Sequence, residues 1–366
     1  MNKKIKSKPL DYSILVLTIL LVAFGIIMVY SASYYMAGKG GDSMSYFKKQ
    51  IVGAAVGFVA MFFMSRFPYK KLERLVPLGL IVSLVLLLLI YTPLGIESYG
   101  ARRWINLGMS VQPSEVAKLA IVLFVAKYLT EKKDVMGSFK KGILPVTIVV
   151  GVYAGMVLIQ PNMSMAMTFV LLLLFMLYLG GAKIKHLALM ALVGGAGAFG
   201  LMLAEPYRRA RYLAFLDPWA DPLDTGWQII QSLYALGNGG LFGVGLGASR
   251  QKYAFLTFAE SDFIFSIIGE ELGFIGCVAL IAVFGLLIWR GMKVAFACPD
   301  RFGSLVAAGI TLNIAIQVII NILVVTGSMP PTGLPLPFIS AGGSSLAMSM
   351  AAIGVLMNIS KSTKPI

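Results

Sequence analysis

The stretch LTFAESDFIFSIIGEELGFIG (Leu256 to Gly276) holds four carboxylates, Glu260, Asp262, Glu270 and Glu271, among residues apolar enough to enter hydrocarbon. A second stretch, SVQPSEVAKLAIVLF, places Glu115 and Lys118 three residues apart, hence on one face of a helix begun by Pro113. Ionisable groups inside apolar spans are costly, so they pair with one another or serve a function. Near both stretches the sequence sets arginines in tight groups: Arg102 and Arg103 in GARRW, and Arg208, Arg209 and Arg211 in YRRARY. The planar guanidinium fork matches phosphate oxygens better than an ammonium does, which points to an anionic ligand. Blander readings exist for each: a helix-dipole partner for a carboxylate near a helix start, a salt bridge for Glu115 and Lys118, lipid headgroup contact for a lone arginine.

Other chemistries are excluded by what is missing. His186 is the only histidine and sits at an inner boundary, so neither a His-based zinc site nor a Ser-His-Asp triad is available at the outer face. No GxxxxGK[ST] run occurs, so ATP is not bound through a P-loop. Cys277 falls in a span and Cys298 in an inner loop, which argues against a disulfide.

The elements that must position these residues are membrane helices. Of 366 residues, 58% are hydrophobic and 13% charged, more apolar surface than a soluble domain of this size can hide. Ten apolar runs are expected to span, at about 12–32, 51–64, 76–94, 113–130, 142–160, 164–180, 186–205, 263–289, 304–327 and 342–359, giving an all-α polytopic membrane protein of one domain. With both termini in the cytoplasm, inner segments hold 20 of the 31 Lys and Arg but 5 of the 16 acids, as the positive-inside rule requires. Net charge +15 is thereby explained by topology, without nucleic acid.

The outer segments are unequal. The longest, 206–261, is expected to be structured: DTGWQIIQSLYAL reads as a helix, and GNGGLFGVGLG as a close-packed turn or re-entrant piece. Between the last two spans, TGSMPPTGLPLPFISAGGSS (Thr326 to Ser345) has too many prolines and glycines for continuous helix and is expected to line a cavity open to the outside. Along the eighth span Asp262, Ser266, Gly269, Gly273 and Gly276 share one stripe, which lets another helix approach and leaves Asp262 at the outer mouth of that interface.

GARRW, QPSEVAKLA, YRRARYLAFLDPWADP, GWQIIQSLYALGNGGLFGVGLG, ESDFIFSIIGEELG and TGLPLPFISAGGSS resemble, in order and over nearly the whole chain, the motifs of the SEDS family (FtsW, RodA and SpoVE), with ARRW and the length closer to the FtsW/SpoVE branch. QPNMS departs from the family's QPDLG-like pattern at Asn162 and Ser164, so no catalytic acid is assigned there, and SAGGSS departs from SYGGSS at Ala341. The resemblance implies a multi-pass protein of the bacterial cytoplasmic membrane, a peptidoglycan glycosyltransferase that polymerises lipid II at the outer surface beside a class B penicillin-binding protein, within division, elongation or sporulation machinery. It implies that Asp262, by its DFIF context, is the essential acid, and that Arg102, Arg103, Glu115 and Lys118 are cavity residues. On that footing Asp262 is expected to act as general base on an acceptor hydroxyl. Arg102, Arg103 and Lys118, with Arg208, Arg209 and Arg211 behind them, are expected to stabilise the pyrophosphate leaving group. Mg²⁺ or Mn²⁺ is an optional participant, since oxygen ligands suffice for either. The rival reading is a lipid II flippase, which requires polar access from both faces.

Overall fold

The computed structural model describes residues 10–98, 101–106, 108 and 110–363. Its helices are α1 (Tyr12–Lys39), α2 (Ser45–Arg66), α3 (Tyr69–Leu89), α4 (Pro113–Glu131), α5 (Leu144–Ile159), α6 (Met163–Leu179), α7 (Ile184–Ala204), α8 (Pro206–Leu216), α9 (Trp227–Gly239), α10 (Ile264–Ala297), α11 (Arg301–Val325) and α12 (Gly343–Ser360). Several starts are written in the local sequence: the side chains of Asp11, Asn162 and Asp300 accept from backbone N–H groups of the first turns of α1, α6 and α11. Asn162, where the motif departs from the family pattern, is thus a helix cap.

Among the described residues eight helices are long and apolar enough to cross a membrane. The expected spans at 113–130 and 164–180 are helical as well, but α4 carries Glu115, Lys118 and Lys127 and α6 has only 17 residues. Expected bounds shift at the ends: α1 and α2 run past their apolar cores, and α3 begins at Tyr69 and stops at Leu89 rather than at 94. One feature departs from an all-α fold. Between α3 and α4 the chain forms an antiparallel sheet in the order β1 (Gly95–Ser98), β2 (Ala101–Asn106), β3 (Ser110–Val111). Its signal is short: Ala101 and Ile105 are buried while Arg102 and Asn106 are exposed, a strand alternation that a helical span pattern hides.

Glycines bring α2 and α12 together. A Cβ at Gly53 would lie 2.5 Å from Gly343 Cα, and one at Gly354 would lie 2.4 Å from Met61 O. Close backbone approach of this kind is what binds helices where no water drives association. The expected stripe on α10 behaves likewise over its first half: Ser266 Oγ meets Ser232 Oγ of α9 at 2.7 Å, and a Cβ at Gly239 would collide with Gly269 O. Beyond it the stripe fails, because α10 is not continuous. Gly273 has φ 69° and ψ −169°, a conformation open essentially to glycine alone. The glycine-rich run after α9 occupies the break. Val244 N and Gly245 N donate to the carbonyls of Glu270 and Glu271, while Phe274 N and Ile275 N donate to those of Gly240 and Leu241. GNGGLFGVGLG begins as the last turn of α9 and from Gly240 on is the expected close-packed turn, and the interrupted helix recovers through it the bonds that its break removes.

Candidate functional site

Asp262 closes a tight turn just before α10. Ser261 N and Phe263 N both donate to Phe258 O, and Phe258 itself has φ 58°, a left-handed conformation costly for a bulky side chain. Three elements hold this turn. Asn321 of α11 donates from Nδ2 to Asp262 O at 2.8 Å and to Leu334 O at 2.9 Å. Ser340 Oγ donates to Ser261 O at 2.6 Å, and Ala341 N donates to Glu260 O at 2.8 Å. Gln50 of α2 in turn donates to Ser340 O and accepts from Gly342 N. The proline- and glycine-rich segment expected to line a cavity thus packs directly on the turn that carries Asp262.

That segment brings Gly333 against the carboxylate. A Cβ built on Gly333 would stand 3.4 Å from Asp262 Oδ2 and 4.0 Å from Arg103 Nη1, so the two charged ends face one another across a residue without a side chain. Arg103 is anchored by donating from Nη2 to Pro161 O, in the turn before α6. Asp262 is partly buried, and burial is the main force raising its carboxyl from 3.8 to about 7. The neighbouring Glu260 adds to the rise, while the Arg103 and Arg211 cations oppose it. Glu260 is itself raised by burial, partly offset by a hydrogen bond from Tyr46. A carboxyl near 7 is a better proton acceptor at neutral pH than an ordinary aspartate, and still half ionised there.

The other expected site residues divide. Arg102 and Arg103 are consecutive on β2, but Arg103 is the extra residue where the register with β1 shifts, while Arg102 lies opposite Glu97 and its Nε pairs with that exposed carboxylate at 3.1 Å. Arg209 and Arg211 lie on α8, the first exposed and the second partly buried. The side chain of Arg208 lies outside the described residues. Glu115 and Lys118 pair at 2.7 Å with almost no exposure. They line a cavity of about 20 Å³ together with Asn313 of α11 and Ser349 of α12. Among the described residues Glu115 Oε1 reaches no hydrogen-bond partner, and the space suits one water. Asn313 and Asn321 are eight residues apart on α11, about 12 Å along its axis, so this pocket lies a layer deeper than Asp262. Gln112 N, at the head of α4, donates to Ser344 Oγ at the head of α12, which fixes that layer beneath the Asp262 mouth.

Sequence reasoning missed Gly333, Asn321, Ser340 and Tyr46. Asn321 alone carried a readable signal, an amide inside an apolar span. Glu270 and Glu271, expected to be buried and paired, are so: Glu270 accepts from Ser249 Oγ, Arg250 N and Gln251 N, and Glu271 meets Lys252 Nζ at 3.0 Å and Ser31 Oγ at 2.6 Å.

Comparison with known proteins gives the following likenesses. Residues 11–365 match the FtsW/RodA/SpoVE family, described as cell cycle protein. Stage V sporulation protein E of Bacillus subtilis is 45% identical, over 97% of this chain and 98% of its own length. A probable peptidoglycan glycosyltransferase FtsW of Geobacter sp. strain M18 is 41% identical, over 96% of each chain. Among solved structures, a chain from work on how a peptidoglycan synthase complex coordinates polymerization and crosslinking superposes with TM-score 0.78, at 29% identity over 96% of this chain and 97% of that one. The rod shape determining protein RodA of Thermus thermophilus superposes with TM-score 0.72, at 28% identity over 97% and 98%.

Proposed function

Because the chain belongs to the FtsW/RodA/SpoVE family, we propose that it is a peptidoglycan glycosyltransferase that polymerises lipid II at the outer face of the bacterial cytoplasmic membrane. The observation that carries the reading is Asp262, a carboxylate set across Gly333 from the anchored Arg103. In the proposed topology ten helices cross, including α4 and α6, with both termini cytoplasmic and 206–261 outside.

The reaction forms a bond from the acceptor's sugar hydroxyl oxygen to the anomeric carbon of the lipid-linked donor. The bond from that carbon to pyrophosphate breaks, and undecaprenyl pyrophosphate leaves with the bonding pair. A sugar hydroxyl is a weak nucleophile until its proton is taken in the transition state, and Asp262 takes it. Charge grows on the departing pyrophosphate, and cations placed beforehand stabilise it without reorganisation. Arg103 and Arg211 are near enough to Asp262 to shift its titration, so they are the first candidates. Arg102 and Arg209 would meet the lipid-linked pyrophosphate farther out. Lys118, in the deeper pocket with Glu115, holds that layer polar and touches the leaving group only if the donor reaches down to it.

A divalent cation fits the donor set in a restricted way. No group of three or more Asp, Glu, His or Cys gathers among the described residues, so Glu260 and Asp262 would offer at most a carboxylate each, with substrate phosphates and water completing the shell as Mg²⁺ tolerates. Bound there, the ion would neutralise pyrophosphate charge. A class B penicillin-binding transpeptidase is the proposed partner, in keeping with the synthase complex among the structural relatives.

Asp262→Asn tests the assignment, since it keeps shape but cannot accept the proton. Polymerisation of lipid II by the purified chain with its transpeptidase should be abolished, with lipid II binding retained. A variant that still polymerises removes Asp262 as base. One that polymerises normally but no longer moves lipid II across a vesicle bilayer favours the flippase.

A further inference from the structure

Asp262 does not sit on a full transmembrane helix. It heads the half-helix Ile264–Leu272, which Gly273 severs from the remainder of α10. A Cβ at Gly273 would lie 2.3 Å from Gly243 N and 2.6 Å from Leu241 C, so the break is built around backbone and nothing else. The half-helix is about 13 Å long, and a tilt of about 5° at its foot moves its head by about 1 Å.

What fixes the foot is a pair of carboxylates in its last turn. Negative charge at a helix C-terminus opposes the macrodipole, so Glu270 and Glu271 are unfavourable there on helix grounds alone. Each is nonetheless buried and fully engaged. Glu270 collects Ser249 Oγ and the N–H groups of Arg250 and Gln251, tying the foot to the outer loop. Glu271 bridges two further elements: Lys252 Nζ at 3.0 Å from that loop and Ser31 Oγ at 2.6 Å from α1. Lys252 Nζ also donates to Ser31 Oγ and Gly247 O, closing the cluster. Replacing a buried ion pair with apolar residues of similar volume is often neutral or stabilising, so fold stability alone gives no reason to retain charge at the foot.

We propose that the Glu271–Lys252–Ser31 cluster, with Glu270 beside it, is a positioning device for the reaction: it sets the tilt of the half-helix and thereby the place of the Asp262 carboxylate relative to Arg103. Glu271 is a positioning residue that touches no substrate. The inference rests on the reading of Asp262 as the base, and a displacement of about 1 Å at the reacting atoms can cost about 100-fold in rate.

The test replaces the charge and keeps the packing: Glu271→Leu with Lys252→Met in the full-length chain, assayed for lipid II polymerisation beside Asp262→Asn. The pair variant should keep or raise its melting temperature and keep KM for lipid II within about twofold, while kcat falls at least about tenfold. Ser31→Ala, which removes one hydrogen bond and little volume, should lower kcat about threefold with KM unchanged, and it keeps the proposal falsifiable if the pair variant does not fold. Wild-type kcat in a folded pair variant, or in Ser31→Ala should the pair not fold, overturns the positioning role, provided Asp262→Asn is inactive. Activity surviving in Asp262→Asn overturns the base assignment itself, a separate failure.

Discussion

Arg103→Gln separates the two tasks proposed for Arg103, holding down the Asp262 carboxyl and stabilising the leaving pyrophosphate. Arg103 Nη1 and Asp262 Oδ2 both lie within 4.0 Å of one point, the Cβ position of Gly333. At a separation of about 6 Å and an effective dielectric of about 40, their attraction is roughly 1.4 kcal/mol, or about one pKa unit. Arg103 holds the Asp262 carboxyl down against burial, so its loss should carry that carboxyl from about 7 to roughly 8. A base works when deprotonated, so the acid limb of the kcat profile should move up by about one pH unit. At pH 7 the ionised fraction drops from about half to about a tenth, a fivefold loss that raising the pH to about 9 restores. Pyrophosphate stabilisation behaves differently, because a missing cation there lowers the rate at every pH. The assay is lipid II polymerisation at saturating substrate from pH 5.5 to 9.5, plotted for both proteins (a range set by about two units on each side of the limb). Any deficit remaining on the alkaline plateau measures the leaving-group role. An acid limb that stays in place, whatever the plateau does, refutes the electrostatic coupling of Arg103 to Asp262.

Three further outcomes are expected. Gly333→Ala should fold normally, since its Cβ meets Asp262 Oδ2 at an ordinary 3.4 Å, but Gly333→Val should fill the space before the carboxylate and abolish polymerisation with little change in melting temperature. Lys118→Met strands Glu115 beside an already unpartnered Oε1, and should lower stability by about 3–5 kcal/mol by denaturant unfolding, whereas the double change Glu115→Leu with Lys118→Met should restore most of it. For Asp262 the folded carboxyl is raised, so its protonated form favours the fold: stability is greatest in acid and declines as pH rises through about 7. Asp262→Asn should therefore melt above wild type at pH 8, by a smaller margin at pH 5, and level with it only below the unfolded carboxyl's 3.8; a constant difference at pH 8 and pH 5 would contradict the shift.

The parts of this arrangement differ in how openly the sequence shows them. The spanning helices were readable because nearly all are long apolar runs, and even the charged α4 was legible from Pro113 and the Glu115–Lys118 spacing, whereas the short, arginine-rich α8 was not legible as a helix. Asp262, Glu115, Lys118, Glu270 and Glu271 stood out for one reason: a charge in an apolar background needs an explanation. Arg102 and Arg103 could not be told apart, since what separates them is a register shift in the strand they occupy, which makes Arg103 the extra residue and sets Arg102 opposite Glu97, and a bulge in so short a strand has no sequence signature. Gly333 and Ser340 gave no signal, because a missing side chain and a small hydroxyl acquire meaning only from what packs around them. The break at Gly273 was also hidden, for the same stripe of small residues suits a continuous helix and an interrupted one.

That break resolves why one apolar stretch tolerates so many acids. Glu260 and Asp262 lie before the half-helix, in a turn where burial is partial and a carboxyl can exchange protons. Glu270 and Glu271 lie at its other end, closed off from any exterior and saturated by Ser249, Lys252, Ser31 and backbone N–H groups. A continuous helix would offer the second pair no loop to bind, and their burial would then be prohibitive. The close-packed turn from Gly240 to Gly245 supplies the loop and repairs the broken backbone in the same step. On the proposed reading the acids at the head and those at the foot require one another: if Asp262 is the base, holding it to within about an ångström needs a rigid attachment in the dry interior, and the half-helix joins the two.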